Sequence, residues 1–498
     1  MRRFLVLVSL FGCGKVEDIS ASFTVEAQPD AIVREGGTVM VEAIVNRTDG
    51  FDGSITVEAT GLPEGVTSSP VTIDGGSTQG TLELAAAAGA THGIGPITIA
   101  ATADEVTEEA AVRLAVAGAP GAPDRSFAGT GTYVGTIPGM VFVGRGLTIA
   151  GDKIVVTGST GSQAITARFS ADGTFDTSFG GGTGFVSTGV GSISQGLAVK
   201  THTDNRLIVA GTASATEPEF GVFAYTPEGV LDESFGNGGV AMFDGGMGTG
   251  ELHSMQIASD GSIIVVGSQF TSPLQGRALR FTAQGDHDVG FGATVNDVNF
   301  KASALQPDGK VILVGATANQ DFYLARINAS STVDPGFGMA GIVTTPFGTT
   351  VQAVGIALVD NGKIVVGGTT TVAPRKLVLA RYNNNGSLDL SFGTGGKVIS
   401  SLEIDSRSLN ALVVDAEGRI LLVGRDAATS RPRVARLLVS GEPDTSFGEG
   451  GLVTIDHGIA GTTQQTGAYG IALDAEGRIV FTGEVGNPQH MVVGRLWF

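Results

Sequence analysis

Polar and apolar residues alternate along most of the chain in short runs separated by turns. Alternation with a period of two is typical of β-strands that bury one face. Between the runs lie clusters of glycine and acidic residues, such as 49–53, that favour tight turns. In the first part of the chain this pattern predicts about seven short strands over residues 22–117, as in a β-sandwich. Examples are the runs 23–27, 38–43, 54–58 and 97–100.

The segment Gly61-Leu62-Pro63-Glu64-Gly65-Val66 resembles bacterial immunoglobulin-like envelope modules. The resemblance implies an immunoglobulin-like β-sandwich over residues 22–117. The sequence lacks the Cys–Trp–Cys core of antibody domains, so only the architecture is implied. Residues 118–123, which alternate Gly, Ala and Pro, predict a linker.

Beyond the linker the sequence repeats itself. A strand that follows a turn and ends at a glycine occurs seven times, and an aspartate three residues before a phenylalanine also occurs seven times. Each unit contains four strand-like runs, so residues 124–498 predict a seven-bladed β-propeller of four-stranded blades. A seven-repeat solenoid is the alternative. The closing glycines are Gly158, Gly211, Gly267, Gly315, Gly368, Gly424 and Gly483.

The repeat resembles the delta-60 repeat of bacterial surface proteins. The resemblance rests on the segments Gln306–Gly315, Ala325-Arg326 and Gly386–Gly393, and it covers residues 124–498. It implies a β-propeller and a cell-envelope setting. That family is known as a repeat without shared catalytic residues, so the resemblance implies no active site.

Six of the seven units carry an arginine late in the third strand, and in five of them an aspartate follows eight residues later. This constant offset predicts local Arg–Asp pairs that hold the turn, with bidentate geometry as one possible arrangement. The second unit has Ala224 in place of the arginine, so Asp232 is expected to lack this partner. Arg495 is expected to meet Asp124, and residues 131–136 are expected to pair with 490–498 and close the ring. The other predicted pairs are Arg168–Asp176, Arg280–Asp288, Arg326–Asp334, Arg381–Asp389 and Arg436–Asp444.

The amino terminus predicts an export signal. Two arginines precede a short apolar run that ends in Leu10-Phe11-Gly12-Cys13. This segment resembles a bacterial lipobox, although Phe11 is larger than the usual residue there. The resemblance implies a lipoprotein signal peptide at 1–12, lipidation of Cys13 and a tether at 13–21. An ordinary signal peptide or a buried free thiol is the alternative.

Composition and residue spacing argue against several kinds of ligand. A net charge of −19 argues against nucleic acid as a partner. The recurring aspartates favour turn capping over calcium binding, and the six histidines show no metal-binding spacing. The G-x-G-x-x-G match at 336–341 is part of a repeat turn and no helical pattern follows it. The innermost strands are expected to be small and apolar, so the sequence predicts no catalytic residue, no metal and no cofactor.

These observations predict a non-enzymatic protein of the bacterial cell envelope. It is expected to be held at the membrane through the lipid anchor only, with a propeller face that binds an unidentified envelope protein or glycan. Four long loops, 244–253, 268–276, 425–432 and 456–467, are expected to cluster on that face. The alternative is an envelope enzyme acting on a polysaccharide or peptide through residues gathered at the propeller mouth.

Overall fold

A computed structural model describes residues 22–137, 140–191, 193–214, 219–243, 250–405, 412–456, 467–486 and 489–498. The predicted signal peptide (1–12), Cys13 and the tether lie outside the described residues. The described part of the chain is all-β and divides into two compact units, the first ending at Gly118 and the second starting at Ala119. Its only helical elements are two short 3-10 turns, Gly180–Gly182 and Asp360–Gly362.

The first unit consists of two sheets that share one apolar core. The four-stranded sheet has the order β1-β3-β7-β5, and the five-stranded sheet has the order β2-β9-β8-β4-β6. Buried side chains of both sheets, such as Val41, Leu82, Ile55 and Leu114, belong to one cluster. The strands are β1 (Phe23–Ala27), β2 (Asp30–Arg34), β3 (Thr38–Arg47), β4 (Ile55–Thr60), β5 (Val66–Ser68), β6 (Val71–Ile73), β7 (Gln79–Ala86), β8 (Gly93–Ala103) and β9 (Val106–Ala117).

The described residues of the second unit form seven antiparallel four-stranded sheets. The first, innermost strand of each sheet contacts the first strand of the next, and the last sheet contacts the first, so the sheets form a ring. The innermost strands are β11 (Val143–Ala150), β15 (Ile193–Thr201), β19 (Gly250–Ile257), β23 (Val298–Leu305), β27 (Val351–Val359), β31 (Leu412–Val414) and β35 (Gly467–Leu473).

The outer strands follow in order within each sheet. The second strands are β12 (Lys153–Ser159), β16 (Leu207–Ser214), β20 (Ile263–Gln269), β24 (Val311–Thr317), β28 (Lys363–Thr370), β32 (Ile420–Arg425) and β36 (Ile479–Val485). The third strands are β13 (Ala164–Phe169), β17 (Glu219–Tyr225), β21 (Gln275–Phe281), β25 (Phe322–Ile327), β29 (Lys376–Tyr382), β33 (Pro432–Leu437) and β37 (His490–Leu496). The outermost strands are β14 (Phe185–Thr188), β18 (Val240–Phe243), β22 (His287–Asn296), β26 (Ile342–Thr345), β30 (Lys397–Glu403), β34 (Leu452–Thr454) and β10 (Thr132–Gly135).

The last sheet joins the two ends of the second unit. Its order is β10-β37-β36-β35, so its outermost strand comes from the start of the unit. Strand β10 pairs with Met491 to Gly494 of β37 in antiparallel register. The predicted pairing of residues 131–136 with 490–498 is therefore confirmed. The first and last repeats are therefore joined by backbone hydrogen bonds within one sheet.

The antiparallel order gives the ring two faces. The turns between first and second strands and between third and fourth strands lie on one face, which we call the turn face. The connections between second and third strands and from each sheet to the next lie on the other, which we call the loop face. Of the four long loops, 268–276 and 425–432 fall largely on the loop face. Residues 244–249 and 457–466 lie outside the described residues, and 250–253 belong to β19.

Candidate functional site

The six predicted Arg–Asp pairs are brought together on the turn face. In each pair the arginine Nε donates a hydrogen bond to the aspartate Oδ2 over 2.7–2.8 Å. The bidentate arrangement is wrong, because only one carboxylate oxygen faces the guanidinium. The other oxygen, Oδ1, accepts hydrogen bonds within its own turn, as in Asp389, where the backbone N–H and the hydroxyl of Ser391 both donate to it.

Five of the six arginines also contact the neighbouring sheet, Arg436 being the exception. The guanidinium lies over the phenylalanine ring of its own turn, with a distance of 4.6 Å from Arg381 Cζ to the Phe392 centroid. In these five, Nη1 donates to a backbone carbonyl in the next sheet, which for Arg381 is that of Val439 at 2.8 Å. The module formed by the arginine, aspartate and phenylalanine therefore fixes the turn and joins adjacent sheets. Because it recurs around the ring, we regard it as part of the scaffold.

In the second repeat, an arginine from another position replaces the missing one. Asp232 has no partner at position 224, yet Arg206, which precedes β16, donates to its Oδ2 at 2.9 Å. The same guanidinium reaches the next sheet through Nη2 and the Ala283 carbonyl at 2.7 Å. Asp232 therefore lacks the third-strand arginine, as expected, and Arg206 makes both contacts from the position just before the second strand.

The module around Arg436 is incomplete where residues 119–123 lead into the ring. Arg436 pairs with Asp444, but its Nη1 is buried without a hydrogen-bond partner among the described residues. By analogy with the other modules, the acceptor would be the carbonyl of Ala119, five residues before Asp124. That carbonyl instead accepts the N–H of Ala122 at 2.8 Å. Residues 119–123 therefore take the place of a hairpin turn, and one interaction between sheets is lost.

The modules predict acid sensitivity. The Lys363 ammonium, with Ser391 and Arg381, holds the pKa of Asp389 well below its usual range, although burial opposes the shift. The pKa values of Asp176, Asp232, Asp288, Asp334 and Asp444 are also lowered. A lowered pKa in the folded state contributes stability above the unfolded value near 4, and this contribution is lost as the pH falls below it.

We therefore expect the urea midpoint of unfolding to fall steeply between about pH 4 and pH 2. The measurement is equilibrium unfolding at a series of pH values. Asp389→Asn, which removes one of these titrating groups, should have a lower midpoint at neutral pH and a shallower dependence on pH. An equally steep dependence in this variant would contradict the role given to Asp389.

A β-bulge recurs on the innermost strands, and it explains the glycine that ends each second strand. In β19 the register shifts between Leu252 and Ser254, so His253 is an extra residue opposite Gly267. A Cβ atom on Gly267 would collide with the carbonyl oxygen of Glu251, two residues before the bulge. The same collision occurs at Gly158, Gly211, Gly315, Gly368 and Gly483. The bulge is therefore a scaffold feature, encoded by these glycines.

The side chains at the bulge, in contrast, differ from sheet to sheet. Bulges re-aim a side chain and often occur near binding sites. Equivalent positions in the ring place these residues in a circle near the loop-face end of the innermost strands. Among the described residues they are Arg145, Leu197, His253, Lys301, Val354 and Tyr469. We call this set the bulge ring. A β-bulge that recurs in the backbone while its side chain varies is what a scaffold for recognition requires.

Two neighbouring members of the bulge ring form a polar cluster. Lys301 Nζ lies 2.9 Å from Nε2 of His253, and Glu251 Oε2 lies 3.5 Å from the same nitrogen. Burial lowers the pKa of His253, and the Lys301 charge lowers it further. The imidazole is therefore neutral and accepts from Lys301 through Nε2. Its Nδ1 then carries the proton, which has no acceptor among the described residues.

A second cluster lies across the junction of the first and last sheets. The guanidinium of Arg145 lies 4.3 Å from the ring centroid of Tyr469. The Tyr469 hydroxyl donates to Oε1 of Glu484, which is 2% exposed, and the other oxygen of that carboxylate has no hydrogen-bond partner among the described residues. Burial raises the pKa of Tyr469, and the Glu484 charge raises it further, so the phenol remains protonated.

A cavity of about 340 Å³ opens on the loop face beside Lys301. Its volume lies at the lower end of the range for small-molecule sites. Connections of three successive sheets contribute to it, and the wall combines amides and hydroxyls with one cation and one carboxylate. The polar lining residues are Asp297, Asn299, Lys301, Thr317, Gln320, Gln352 and Thr371. Leu274, Ala316, Ala318 and Val351 form the apolar part of the wall, so the cavity suits an uncharged ligand with both apolar and hydrogen-bonding groups.

The sequence prediction of a small, apolar channel is wrong in part. A central cavity of about 220 Å³ is lined by all seven innermost strands, and its wall includes Arg145, Lys200, Gln256 and Ser303. Lys200 directly follows an apolar run, and Arg145 occupies a bulge. The alternation of polar and apolar residues therefore did not mark either of them as a channel residue. Superposing the repeats on their closing glycines would have found the bulge ring. Its members lie 14 residues before the glycine in five repeats and 13 in the first.

Clustered metal-ligating side chains and long apolar helices are both missing from the described part of the chain. No group of three or more His, Cys, Asp or Glu side chains there is arranged to hold a metal ion. Within the same residues, no helix has the length and hydrophobicity needed to cross a bilayer. The recurring aspartates bind hydroxyls, backbone N–H groups and cationic side chains of the protein instead.

Comparison with known proteins identifies the repeat. Five segments match the family model described as "Domain of unknown function (DUF5122) beta-propeller": residues 152–179, 202–235, 306–337, 360–392 and 416–447. Each match starts at the turn before a second strand and ends at the phenylalanine of the module. The chain is therefore similar to this family through the elements that build its scaffold, and it carries β-propeller repeats.

No curated protein matches the chain. Among solved structures, a hypothetical protein from Leishmania major is 10% identical, with a TM-score of 0.28, over 60% of this chain and 82% of that one.

Proposed function

We propose that the protein is a non-enzymatic, lipid-anchored protein of the bacterial cell envelope that binds an envelope protein or glycan. In this proposal a seven-bladed propeller of delta-60-like repeats follows an immunoglobulin-like module, and the loop face of the propeller is the binding face. The observation that carries the proposal is the bulge ring. Every other recurring feature maintains the fold, whereas these positions vary in charge, size and polarity on one face.

The chemistry of the loop face supports a polar ligand. The cavity beside Lys301 offers the Asn299, Gln320 and Gln352 amides and hydroxyls such as that of Thr371. Amides and hydroxyls within one concave wall suit the hydroxyl groups of a sugar or the backbone of a peptide. Lys301 adds a donor that His253 holds in place.

The binding face can be tested by substituting one of its cations. We expect Lys301→Ala to reduce capture of the partner from solubilised envelope proteins, or of glycans on an array, by at least tenfold, since it removes a charged donor from the cavity wall. The matched control is Arg125→Ala, which removes an exposed cation from the turn face. An equal loss of binding in both variants would contradict the assignment of the loop face.

The anchor makes a separate prediction. Replacing Cys13 with Ser removes the sulfur that would carry the lipid, so we expect the protein to move from the membrane fraction to the soluble fraction after export. The measurement is cell fractionation with a high-salt wash, followed by detection of the full chain. Retention of Cys13→Ser in the washed membranes would show that Cys13 is not the anchor.

A further inference from the structure

The central cavity differs in charge from the protein around it. Although the chain carries a net charge of −19, the only charged side chains in the described lining are cationic, Lys200 and Arg145. Neither side chain has an ion-pair partner among the described residues. The remaining wall is apolar at residues such as Leu147, Val199 and Ile356 and polar at Gln256 and Ser303. A cavity of this kind inside an acidic protein favours an anion.

Lys200 is held in place by a chain of hydrogen bonds across three sheets. Its Nζ donates to Oε1 of Gln256 at 3.0 Å. The Gln256 amide is oriented in turn, because its Nε2 donates to the backbone carbonyl of Ser303 at 2.6 Å. The Ser303 hydroxyl lies 2.9 Å from that of Ser254. The ammonium therefore has a fixed position at the cavity wall.

This network leaves Lys200 short of acceptors. An ammonium group has three N–H donors, and Gln256 accepts one of them. Burial lowers the pKa of Lys200, which reports the cost of holding a charge there without a counter-ion. A buried cation without a partner destabilises a fold unless another group compensates it. An anionic ligand would supply both the missing charge and the missing acceptors.

We propose that the central cavity binds a small organic monocarboxylate whose carboxylate group pairs with Lys200. The Arg145 guanidinium already lies over the Tyr469 ring, so Lys200 is the cation with free N–H donors. One ammonium neutralises one negative charge, which favours a monoanion over a doubly charged phosphate. The apolar wall accommodates a short alkyl chain, and 220 Å³ corresponds to about seven water molecules at ~30 Å³ each. The site is separate from the cavity beside Lys301, so this proposal does not depend on the partner of the loop face.

The test uses the full chain and the probe pair butyrate and butyramide, which have similar shape but differ in charge. We expect butyrate to raise the melting temperature with rising concentration, as ligand binding to the folded state requires, and butyramide to have at least tenfold lower affinity. Isothermal titration calorimetry gives the two dissociation constants directly. Equal binding of the amide, or no binding of butyrate up to about 10 mM, would overturn the proposal.

Substitution of the cation provides the second arm. Lys200→Met keeps the unbranched shape of the side chain, one heavy atom shorter, and removes the charge, so butyrate affinity is expected to fall at least tenfold. The matched control is Lys376→Met on β29, outside the cavity lining, with affinity unchanged within about twofold. Without ligand, Lys200→Met should melt at a higher temperature than the wild type, because an uncompensated buried charge is gone. Butyrate binding undiminished in Lys200→Met would overturn the proposal.

Discussion

Deletion of residues 491–498 is expected to unfold the whole second unit and not one sheet alone. The deleted segment contains nearly all of β37, which lies between β36 and β10 in the closing sheet. It removes the fully buried side chains of Met491, Val492, Val493, Leu496 and Trp497. At about 1.5–3 kcal/mol for each buried side chain, the loss is on the order of 10 kcal/mol, which is comparable to the total stability of a typical domain.

The deletion also breaks the polar contact that joins the ends of the unit. Arg495 donates to Oδ2 of Asp124 at 2.7 Å, and Asp124 is fully buried. Arg478 remains beside Asp124 at 3.2 Å, but β10 loses every one of its ladder partners. Circular dichroism and urea unfolding of the truncated chain measure the effect. Removal of Phe498 alone is the control, since it leaves β37 intact. A truncated protein that keeps a cooperative transition of the second unit with a similar midpoint would contradict this role of the closing sheet.

Gly267→Ala is expected to destabilise the second unit by at least about 3 kcal/mol, above the usual cost of overpacking. The added methyl group would occupy the position of the Glu251 carbonyl oxygen, which is backbone and cannot rotate away. The Phe220 ring lies 2.9 Å from the same position, so the methyl group has no free direction. Relief requires the bulge at His253 to be lost, which shifts the register of β19 against β20.

The control for this substitution is Gly292→Ala in the same unit. The nearest atom to an added methyl group there, beyond the chain neighbours, is the Ala278 carbonyl oxygen at 3.9 Å, and the backbone is not left-handed. We expect its free energy of unfolding to change by less than about 1 kcal/mol, since the methyl group fits and the unfolded chain loses entropy. Urea unfolding compares the two variants. Similar midpoints for Gly267→Ala and Gly292→Ala would refute the steric explanation of the repeated glycine.

The repeats made the scaffold predictable, because periodicity and turn residues are local properties of the sequence. The four strands of a unit, the seven Asp-to-Phe turns and the strand that closes the ring could be located in this way. Four strand-like runs were expected in each unit, and each sheet of the second unit has four strands. The pairing of Arg495 with Asp124 followed from a simple offset and a missing partner.

The proposed sites depend on the register between neighbouring strands, which residue spacing along the sequence does not show. The closing glycines were visible, but their cause, a carbonyl displaced by a bulge in the preceding strand, needs the strand pairing. Arg206 could replace the missing arginine because the residue before or at the start of the second strand lies beside the module. Lys310 and Lys363 occupy the same location and contact Asp334 and Asp389 at 3.0 and 2.8 Å. A cation there is a signal that comparison of the repeats could have revealed.

The closing sheet combines strands from both ends of the second unit, so it can form only late in protein synthesis. Strand β10 ends at Gly135, while its partner β37 begins at His490. At a synthesis rate of about 5–20 residues per second, the ribosome needs roughly 20–70 s to make the intervening chain. Throughout that interval β10 lacks its partner strand β37. The seventh sheet cannot be completed, so the ring stays open.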